Sequence, residues 1–401
     1  MSVVKVLEGS EAVSFAVKAC RPQVISAYPI SPQTHIVESL ARMAANGDLD
    51  ARYVRVESEF SAASVVSGAS AAGSRAYTAS SSQGLLLMTE VFYASVGMRL
   101  PFVMTGVNRQ ISAPISIQVD HQDTMSLRDA GVIQIYVESS QEAYDAHIAA
   151  FKIAEDPNIL LPVMVCMDGW ILTHSYEPVA FLTQEAVDGF LPPFKPPHYL
   201  TCDDPKSWGS YAEENELMEF KYAVQAAMNY GKKRIKEIFA ELANLSGRDH
   251  GGLIEPYRAE DADYILVSMG SVSGTAKETV DLLRKGGKKV GLVRIRCYRP
   301  FPLEDIWYAV QNAKVVGVME ANFSMGSQGA VAMDLKAGIF GMPNAPMVMD
   351  FIAGVGGREI NIDVIVRIFE KMEKASSEEV RAIPPQWVDL NPEAMAQGER
   401  S

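Results

Sequence analysis

The chain has 401 residues, 48% of them hydrophobic, and a net charge of −13. That length holds two or three domains with sizeable cores. The acidity argues against nucleic-acid binding, which needs clustered Lys and Arg, and no stretch reaches the roughly 18–20 apolar residues of a membrane span. The start, Met1–Gly9, lacks the charged and apolar regions of a signal peptide, so a cytoplasmic location is expected. The cysteines, Cys20, Cys166, Cys202 and Cys297, lie far apart in sequence. No Cys-x-x-Cys pair is available for zinc or an iron–sulfur cluster, and reduced, structural thiols are expected.

Strand-like and helix-like runs alternate through residues 1–175. Strands are expected at 24–27, 53–56, 75–79, 102–106, 133–137 and 161–167, and helices at 34–45, 61–73, 84–98 and 141–155. Such alternation gives a parallel sheet covered by helices on both faces. The small-residue run 61–73 would let its helix approach that sheet closely. From Glu177 the pattern changes. Leu191-Pro-Pro-Phe-Lys-Pro-Pro197 reads as a stiff, extended linker, and Leu217–Leu245 is helical in period, with a solvated Lys/Arg face at 232–236. A second alternating unit begins near Ala262, with strands at 264–269, 289–295 and 315–319. Its turn, Gly270-Ser-Val-Ser-Gly-Thr275, opens a helix to Lys285. The turn is not Gly-x-Gly-x-x-Gly and no ribose-binding acid follows, so direct dinucleotide binding is not expected. The tail from Ala375 is polar and reads as an arm ordered only by contact with a partner. The expected domains are 1–245 (core 1–175), 255–370, and an arm over 371–401.

Three polar loops close strands of the first unit and read as one site. Tyr28-Pro-Ile-Ser-Pro-Gln-Thr34 follows the strand 24–27. Pro29 and Pro32 fix their own φ, and Pro32 pushes Ser31 toward extended backbone. The loop thereby presents the Ser31 hydroxyl at the carboxyl end of a strand, where open α/β sheets bind ligands. Val54-Arg-Val-Glu-Ser-Glu59 ends in two carboxylates. Glu59 suits proton sharing in an apolar setting, and equally suits the N-terminus of the next helix. Glu57 is the competing carboxylate, on the same strand face, and Ser58 reads as the helix cap. Thr78-Ala-Ser-Ser-Ser-Gln-Gly84 is the third loop. Arg109, just past a strand, has the fork to hold a carboxylate or to form a surface ion pair. Asp120-His-Gln-Asp123 fits no usual ligand spacing and reads as a hydrogen-bonded loop. His121 could act as a base, but nothing supplies it with a nucleophile. The Gly-x-Ser-x-Gly, Gly-Lys-Thr/Ser and His-Glu-x-x-His motifs are absent.

Taken together, Tyr28–Thr34, Val56-Glu-Ser-Glu-Phe-Ser-Ala62, Ser80-Ser-Ser-Gln-Gly-Leu85, Arg99-Leu-Pro101, Asn108-Arg109, Asp120-His-Gln-Asp123 and Gln141-Glu-Ala143 resemble the alpha subunit of pyruvate:ferredoxin oxidoreductases, within the 2-oxoacid:ferredoxin oxidoreductase family. Met269-Gly-Ser-Val-Ser-Gly-Thr275 and Arg294-Ile-Arg-Cys-Tyr-Arg-Pro-Phe-Pro302 look like that subunit's second domain. The resemblance spans residues 5–370. It implies an α/β fold: a pyrimidine-type thiamine-diphosphate-binding parallel-sheet domain plus a transketolase C-terminal-like α/β domain.

The resemblance also implies a reversible activity, oxidative decarboxylation of pyruvate to acetyl-CoA and CO2 with reduction of ferredoxin. Thiamine diphosphate would be shared with a partner subunit, with Mg and 4Fe-4S clusters on partners and CoA as co-substrate. The implied partners are a beta subunit holding Mg and diphosphate, gamma and delta ferredoxin-like subunits, ferredoxin, and a second copy of the heteromer. The missing Gly-Asp-Gly signature and cluster cysteines agree with this division, and the chain alone should be inert. Residue by residue, Glu59 would touch N1′ of the aminopyrimidine and act in catalysis. Ser31 and Arg109 would hold the substrate carboxylate, and Pro29, Ile30, Gln83 and Asn108 would line the cofactor; no metal ligand is expected. Ser31 departs from the Thr usual in the pyruvate enzymes, keeping the hydroxyl and losing a methyl. The oxalate relative tends to carry Arg there. Asp120-His-Gln-Asp123 is more typical of pyruvate enzymes than of branched-chain relatives, and Ser116-Ile-Gln-Val119 is atypical of either. The alternatives are a 2-oxoisovalerate or aromatic 2-oxoacid enzyme and a non-catalytic assembly subunit. A free-standing NAD-dependent dehydrogenase lacks its fingerprint.

Overall fold

Strands and helices alternate along most of the chain in the computed structural model, which describes residues 3–378 and 383–398. In chain order they are β1 (Val3–Glu8), α1 (Gly9–Ala19), β2 (Val24–Ala27), α2 (Thr34–Ala45), β3 (Arg52–Arg55), α3 (Glu59–Ala71), β4 (Ala76–Ser81), α4 (Ser82–Leu87), α5 (Thr89–Gly97), β5 (Val103–Asn108), α6 (Gln122–Met125), β6 (Ile133–Tyr136), α7 (Ser140–Ala154), β7 (Val163–Asp168), β8 (Tyr176–Phe181), α8 (Gln184–Phe190) and α9 (Leu217–Ser246). There follow β9 (Ile254–Tyr257), β10 (Tyr264–Ser268), α10 (Val272–Lys285), β11 (Val290–Ile295), β12 (Cys297–Arg299), α11 (Leu303–Val310), β13 (Val315–Glu320), α12 (Ala330–Ile339), β14 (Met347–Ile352), α13 (Ile362–Ser377), β15 (Gln386–Trp387) and α14 (Pro392–Gly398). The single helix expected over 84–98 is two, α4 and α5, with Met88 between them. Of the arm expected over 371–401, residues 379–382 and 399–401 lie outside the described residues; the described part completes α13 and adds β15 and α14.

The chain forms two compact units. The first, Met1–Glu255 with Ile295–Pro302, holds a seven-stranded sheet in the order β12-β6-β7-β5-β4-β2-β3. All its pairings are parallel except β12 against β6. Every residue of β4, β5, β6 and β7 is buried. That is why these strands read as unbroken apolar or small-residue runs: helices cover both faces. The edge strand β3 is half exposed. β1 and β8 form a separate antiparallel ribbon. Val3, Val4 and Val6 of β1 are exposed, so no buried period marks it in the sequence.

Helix α7 is buried almost throughout, although it carries Glu142, Asp145 and His147. Each of these is matched, as buried polar groups must be. Asp145 binds Arg248 through both oxygens (2.6 and 2.7 Å) and His250 at 2.9 Å. His147 Nδ1 lies 2.6 Å from the carbonyl of Ala143, which can only accept. The proton is therefore on Nδ1, and Nε2 accepts from the Thr105 hydroxyl at 2.6 Å. Thr105 in turn accepts from Tyr77 at 2.6 Å. Burial lowers the His147 pKa to about 4, which keeps this neutral arrangement.

Glu142 pairs with Arg296 at 2.6 Å, both side chains fully buried. Arg296 reaches this place because the chain returns from β11 to the first unit for Ile295–Pro302. There β12 pairs with β6, and the guanidinium lies over Phe239 of α9 at 4.2 Å. The second unit, Pro256–Arg294 with Leu303–Ser401, has a six-stranded sheet in the order β15-β14-β13-β10-β11-β9. The pairings from β11 to β15 are parallel. Its core joins Leu266, Val280, Leu292, Phe351, Ile365 and Phe369.

Arg296→Met should destabilise the first unit by about 3–5 kcal/mol, because it removes the buried counter-charge of Glu142. Denaturant unfolding followed at this unit's transition checks it; a loss under ~1 kcal/mol would show that the pair is not a keystone.

Candidate active site

Strands β2, β3, β4, β5 and β7 run parallel, so the loops leaving their carboxyl ends share one edge of the sheet. Buried Gln33 anchors the first loop. Its Nε2 donates to the carbonyls of Tyr28 (2.8 Å) and Ala79 (3.2 Å). Within the loop Pro29 and Ser31 are exposed and Ile30 is half-buried, and the Ile30 carbonyl accepts from the Gln33 N–H at 3.0 Å.

β3 stops at Arg55, and Ser58 caps α3 by accepting from the Ser61 N–H at 3.2 Å. Glu59 is the first residue of that helix and is only 8% exposed. The two readings open for it in the sequence therefore coincide: a helix N-terminal carboxylate that is also buried. Glu57 is fully exposed, and the Ser61 hydroxyl holds its carboxyl below the usual range. It does not share a strand face with Glu59, because the strand has ended. The Glu59 carboxylate has no hydrogen-bond partner among the described residues. It faces Gly84 of α4, where an ideal Cβ would stand 2.7 Å from Glu59 Oε1 and 2.4 Å from Ser80 Oγ. Only glycine lets α4 lie this close to the carboxylate.

Asp123 ties the third loop to the end of β5. It is fully buried. Oδ2 accepts from the backbone N–H of Ser82 (2.9 Å) and of Arg109 (3.0 Å). Oδ1 accepts from Asn108 Nδ2 (3.2 Å) and the Thr124 N–H (2.7 Å). Burial pushes its pKa up to about 7, against the pull of these N–H groups. Ser82 has φ 50°, a conformation costing ~1–3 kcal/mol in a residue with a β-carbon, and the bond to Asp123 holds it there. Asn108 is buried, with its amide also on Thr124 Oγ1 at 2.7 Å. Gln83 is half-buried, bonded to Ser112 and Ser82.

Ser31 and Arg109 are brought together, though through the Ser31 backbone. Arg109 Nη1 donates to the Ser31 carbonyl at 2.8 Å and Nε to that of Ser116 at 3.0 Å. Two backbone anchors fix the plane of the guanidinium and leave Nη2 unpartnered among the described residues. Burial lowers the Arg109 pKa, and Asp123 opposes that shift. The Asp120–Asp123 segment is hydrogen-bonded, and its second half opens α6 rather than staying a loop. His121 Nε2 meets Asp168 Oδ1 at 2.8 Å, and its ring lies 5.2 Å from that of Tyr136.

Around this edge, Thr78 Oγ1, Ser80 Oγ, Ser81 Oγ, Gln33 Oε1, Asn108 Oδ1 and Gln110 Oε1 are buried without a partner among the described residues. Leaving such an atom unmade costs ~1–3 kcal/mol. Several at one sheet edge, beside an unpartnered buried carboxylate, suit a polar ligand that completes them. Sequence reasoning missed Asp123 as the hub and Gly84 as the close-approach point. Both stood in segments already singled out, but their partners lie in other loops.

Gly84→Ala should cost about 1–3 kcal/mol by overpacking against Glu59 and Ser80, read as a lowered thermal midpoint. The His121–Asp168 pair gives a pH prediction. Burial alone would lower the His121 pKa, but Asp168, aided by Asp120 and Asp123, holds it above 6.5. A raised folded-state value stabilises fully below about 6.5, and the gain is lost as pH rises through that value. The stability lost in Asp168→Asn should therefore be largest below pH about 6.5 and shrink at higher pH, in denaturant unfolding.

Residues 15–240 match the family described as "Pyruvate flavodoxin/ferredoxin oxidoreductase, thiamine diP-bdg", and residues 262–365 match "Pyruvate:ferredoxin oxidoreductase core domain II". The chain is 46% identical over 392 residues to pyruvate synthase subunit PorA of Methanosarcina barkeri, covering 97% of each. It is 46% identical over 395 residues to the subunit of the same name from Methanothermobacter thermautotrophicus, covering 98% of this chain and 100% of that one. Ketoisovalerate oxidoreductase subunit VorA of Pyrococcus horikoshii is 42% identical over 371 residues, 92% of this chain and 94% of that one. The 2-oxoglutarate:ferredoxin oxidoreductase of Magnetococcus marinus shares the fold, with TM-score 0.71 at 21% identity over 92% of this chain. This chain spans 65% of that one. With both units matched and nearly half of all positions identical along almost its full length, the chain belongs to the pyruvate:ferredoxin oxidoreductase family, as the alpha subunit.

Proposed function

We propose that the edge bearing Glu59, Gly84, Ser80, Ser31 and Arg109 is the pyrimidine-side half of a thiamine diphosphate site in a heteromeric pyruvate:ferredoxin oxidoreductase. The observation that carries this is Glu59, a buried residue at the start of α3 whose carboxylate has no hydrogen-bond partner among the described residues and faces Gly84. The unsatisfied hydroxyls and amides around it support the same reading, since a flat heteroaromatic ring with donors and acceptors would satisfy them. When bound, thiamine diphosphate supplies the electron sink for decarboxylation of a 2-oxoacid.

This chain's residues do the rest of the half-site's work. Glu59 holds the aminopyrimidine at N1′ and shares a proton there, in a setting where a charge-assisted bond is strong. Pro29 and Ile30 form the wall of the first loop. Gln83 and Asn108 line the site, and both are already fixed by neighbours. Arg109, oriented by two carbonyls, turns its free edge to the substrate carboxylate, and the Ser31 hydroxyl takes the other side.

The other half comes from a beta subunit that holds Mg and the diphosphate. Its docking is supported by exposed apolar side chains on the loops and adjoining helices of this edge: Tyr28, Phe60, Leu87, Ile115, Ile117 and Ile171. Gamma and delta subunits carry the 4Fe-4S clusters that pass electrons to ferredoxin, CoA accepts the acyl group, and a second heteromer completes the assembly. No helix among the described residues is long and apolar enough to cross a membrane; we place the enzyme in the cytoplasm.

Pyruvate is the substrate favoured by the 46% identity to the PorA subunits. A branched 2-oxoacid is the second reading, favoured by Ser31 in place of Thr and by the 42% identity to VorA. In the reconstituted complex, Glu59→Gln should lower pyruvate-dependent ferredoxin reduction ~100-fold or more. A near wild-type rate would remove Glu59 from the chemistry and favour a bracing role for the chain. A panel of pyruvate, 2-oxoisovalerate and an aromatic 2-oxoacid should show the highest kcat/KM for pyruvate, and faster turnover of 2-oxoisovalerate would reverse the choice.

A further inference from the structure

We propose that Glu8, His35 and His174 form a binding site for a divalent transition-metal ion of the zinc class. The three residues come from separate elements: Glu8 ends β1, His35 is the second residue of α2, and His174 lies between β7 and β8. One ligand atom from each lies within 4.8 Å of the others. His35 Nδ1 stands 2.9 and 3.0 Å from the two oxygens of Glu8. The His35 and His174 rings are 4.8 Å apart, tilted by 40°. Two imidazoles and one carboxylate, with a fourth position open, is a set that zinc uses where it keeps a water or ligand. Imidazole ligands also select this class of ion over Mg and Ca.

The surroundings fix His174 and the end of β1 in place, while His35 is exposed. His174 Nδ1 is occupied by Thr173 Oγ1 at 2.7 Å, and that oxygen also accepts from the Trp170 N–H at 2.8 Å. An outer partner of this kind sets the ring's orientation and leaves Nε2 for an ion. The Trp170 ring lies against that of His174, 4.3 Å between centroids at 32°. Residues 173–175 are tied to the start of α1: Ser10 donates to the Thr173 carbonyl through N–H (3.1 Å) and hydroxyl (2.9 Å), and the Gly9 N–H donates to Ser175 at 3.1 Å. Gly9 permits this contact, since an ideal Cβ there would stand 2.0 Å from the Leu172 carbonyl oxygen. Glu8 itself is buried.

A bound ion takes the place of the proton between His35 Nδ1 and Glu8, and the imidazole then carries its proton on Nε2. It then ties β1 to two segments behind the Tyr28–Thr34 loop. His35 follows that loop directly, and His174 follows Gly169, where an ideal Cβ would stand 2.7 Å from Pro32 Cγ. The site does not depend on the substrate assigned above, nor on thiamine diphosphate.

The test uses the full chain, stripped with a chelator and titrated with Zn²⁺ against a chromophoric competitor, then with Co²⁺ followed by visible absorption. One equivalent should bind, with Co²⁺ bands of low coordination number. His35→Ala, His174→Ala and Glu8→Gln should each weaken Zn²⁺ by about tenfold or more, and Cys202→Ser should leave it unchanged. Zn²⁺ should raise the thermal midpoint of the wild type but not of the His35→Ala/His174→Ala double variant. Unchanged affinity in that variant, with a wild-type circular dichroism spectrum, would overturn the proposal, as would the lack of stoichiometric binding to the wild type.

Discussion

The site edge depends on one buried carboxylate. Removing an ionised carboxyl from water costs several kcal/mol unless its lone pairs are met. Asp123 meets that cost with four N–H donors, drawn from the end of β4, the end of β5 and its own loop. The consequence is geometric. Ser82 is held at a positive φ, which turns the chain into α4, and α4 carries Gly84 onto Glu59. The backbone of Arg109 is held by the same oxygen that holds Ser82, so the Arg109 guanidinium and helix α4 are set from one point. Functional groups on loops are usually imprecise; here one buried carboxyl with four N–H donors ties the ends of β4 and β5 to its own segment.

Much of this was legible in the sequence, for definable reasons. The central strands were visible because burial on both faces leaves an unbroken run, as in Val103–Asn108 and Val163–Asp168. Helices α2, α9 and α10 were visible from their period. The site loops were visible because each closes a strand with polar or proline residues. β1 was not, because its valines face out of a two-stranded ribbon and carry no buried alternation. Glu59 and Glu57 could not be separated by spacing alone, since the choice rests on where the strand stops and the helix begins. Asp123 and the Glu8, His35 and His174 cluster were illegible for a common reason. Each is defined by neighbours from distant parts of the chain, and a single sequence shows spacing, not proximity.

Helix α7 shows how the first unit gains a unique packing. An apolar helix in its place could rotate or slide by a turn at modest cost. Glu142, Asp145 and His147 each require a particular partner from a different segment: Arg296, the Arg248–His250 stretch, and Thr105. Any other register strands a buried charge or an unpaired nitrogen. The tautomer of His147 is part of this, since its Nδ1–H is committed to the helix's own carbonyl and only Nε2 remains to read the sheet.

The excursion of Ile295–Pro302 into the first unit also sets an order of events at the ribosome. Residues up to Glu255 can collapse as they emerge, but their sheet lacks β12 and Glu142 lacks its counter-charge until Pro256–Arg294 has been synthesised. At ~5–20 residues per second that interval is about 2–8 seconds. During it the nascent chain carries an open sheet edge at β6 and a Glu142 that has yet to meet Arg296. The first half of this protein is thus a dependent folding partner of its own later sequence.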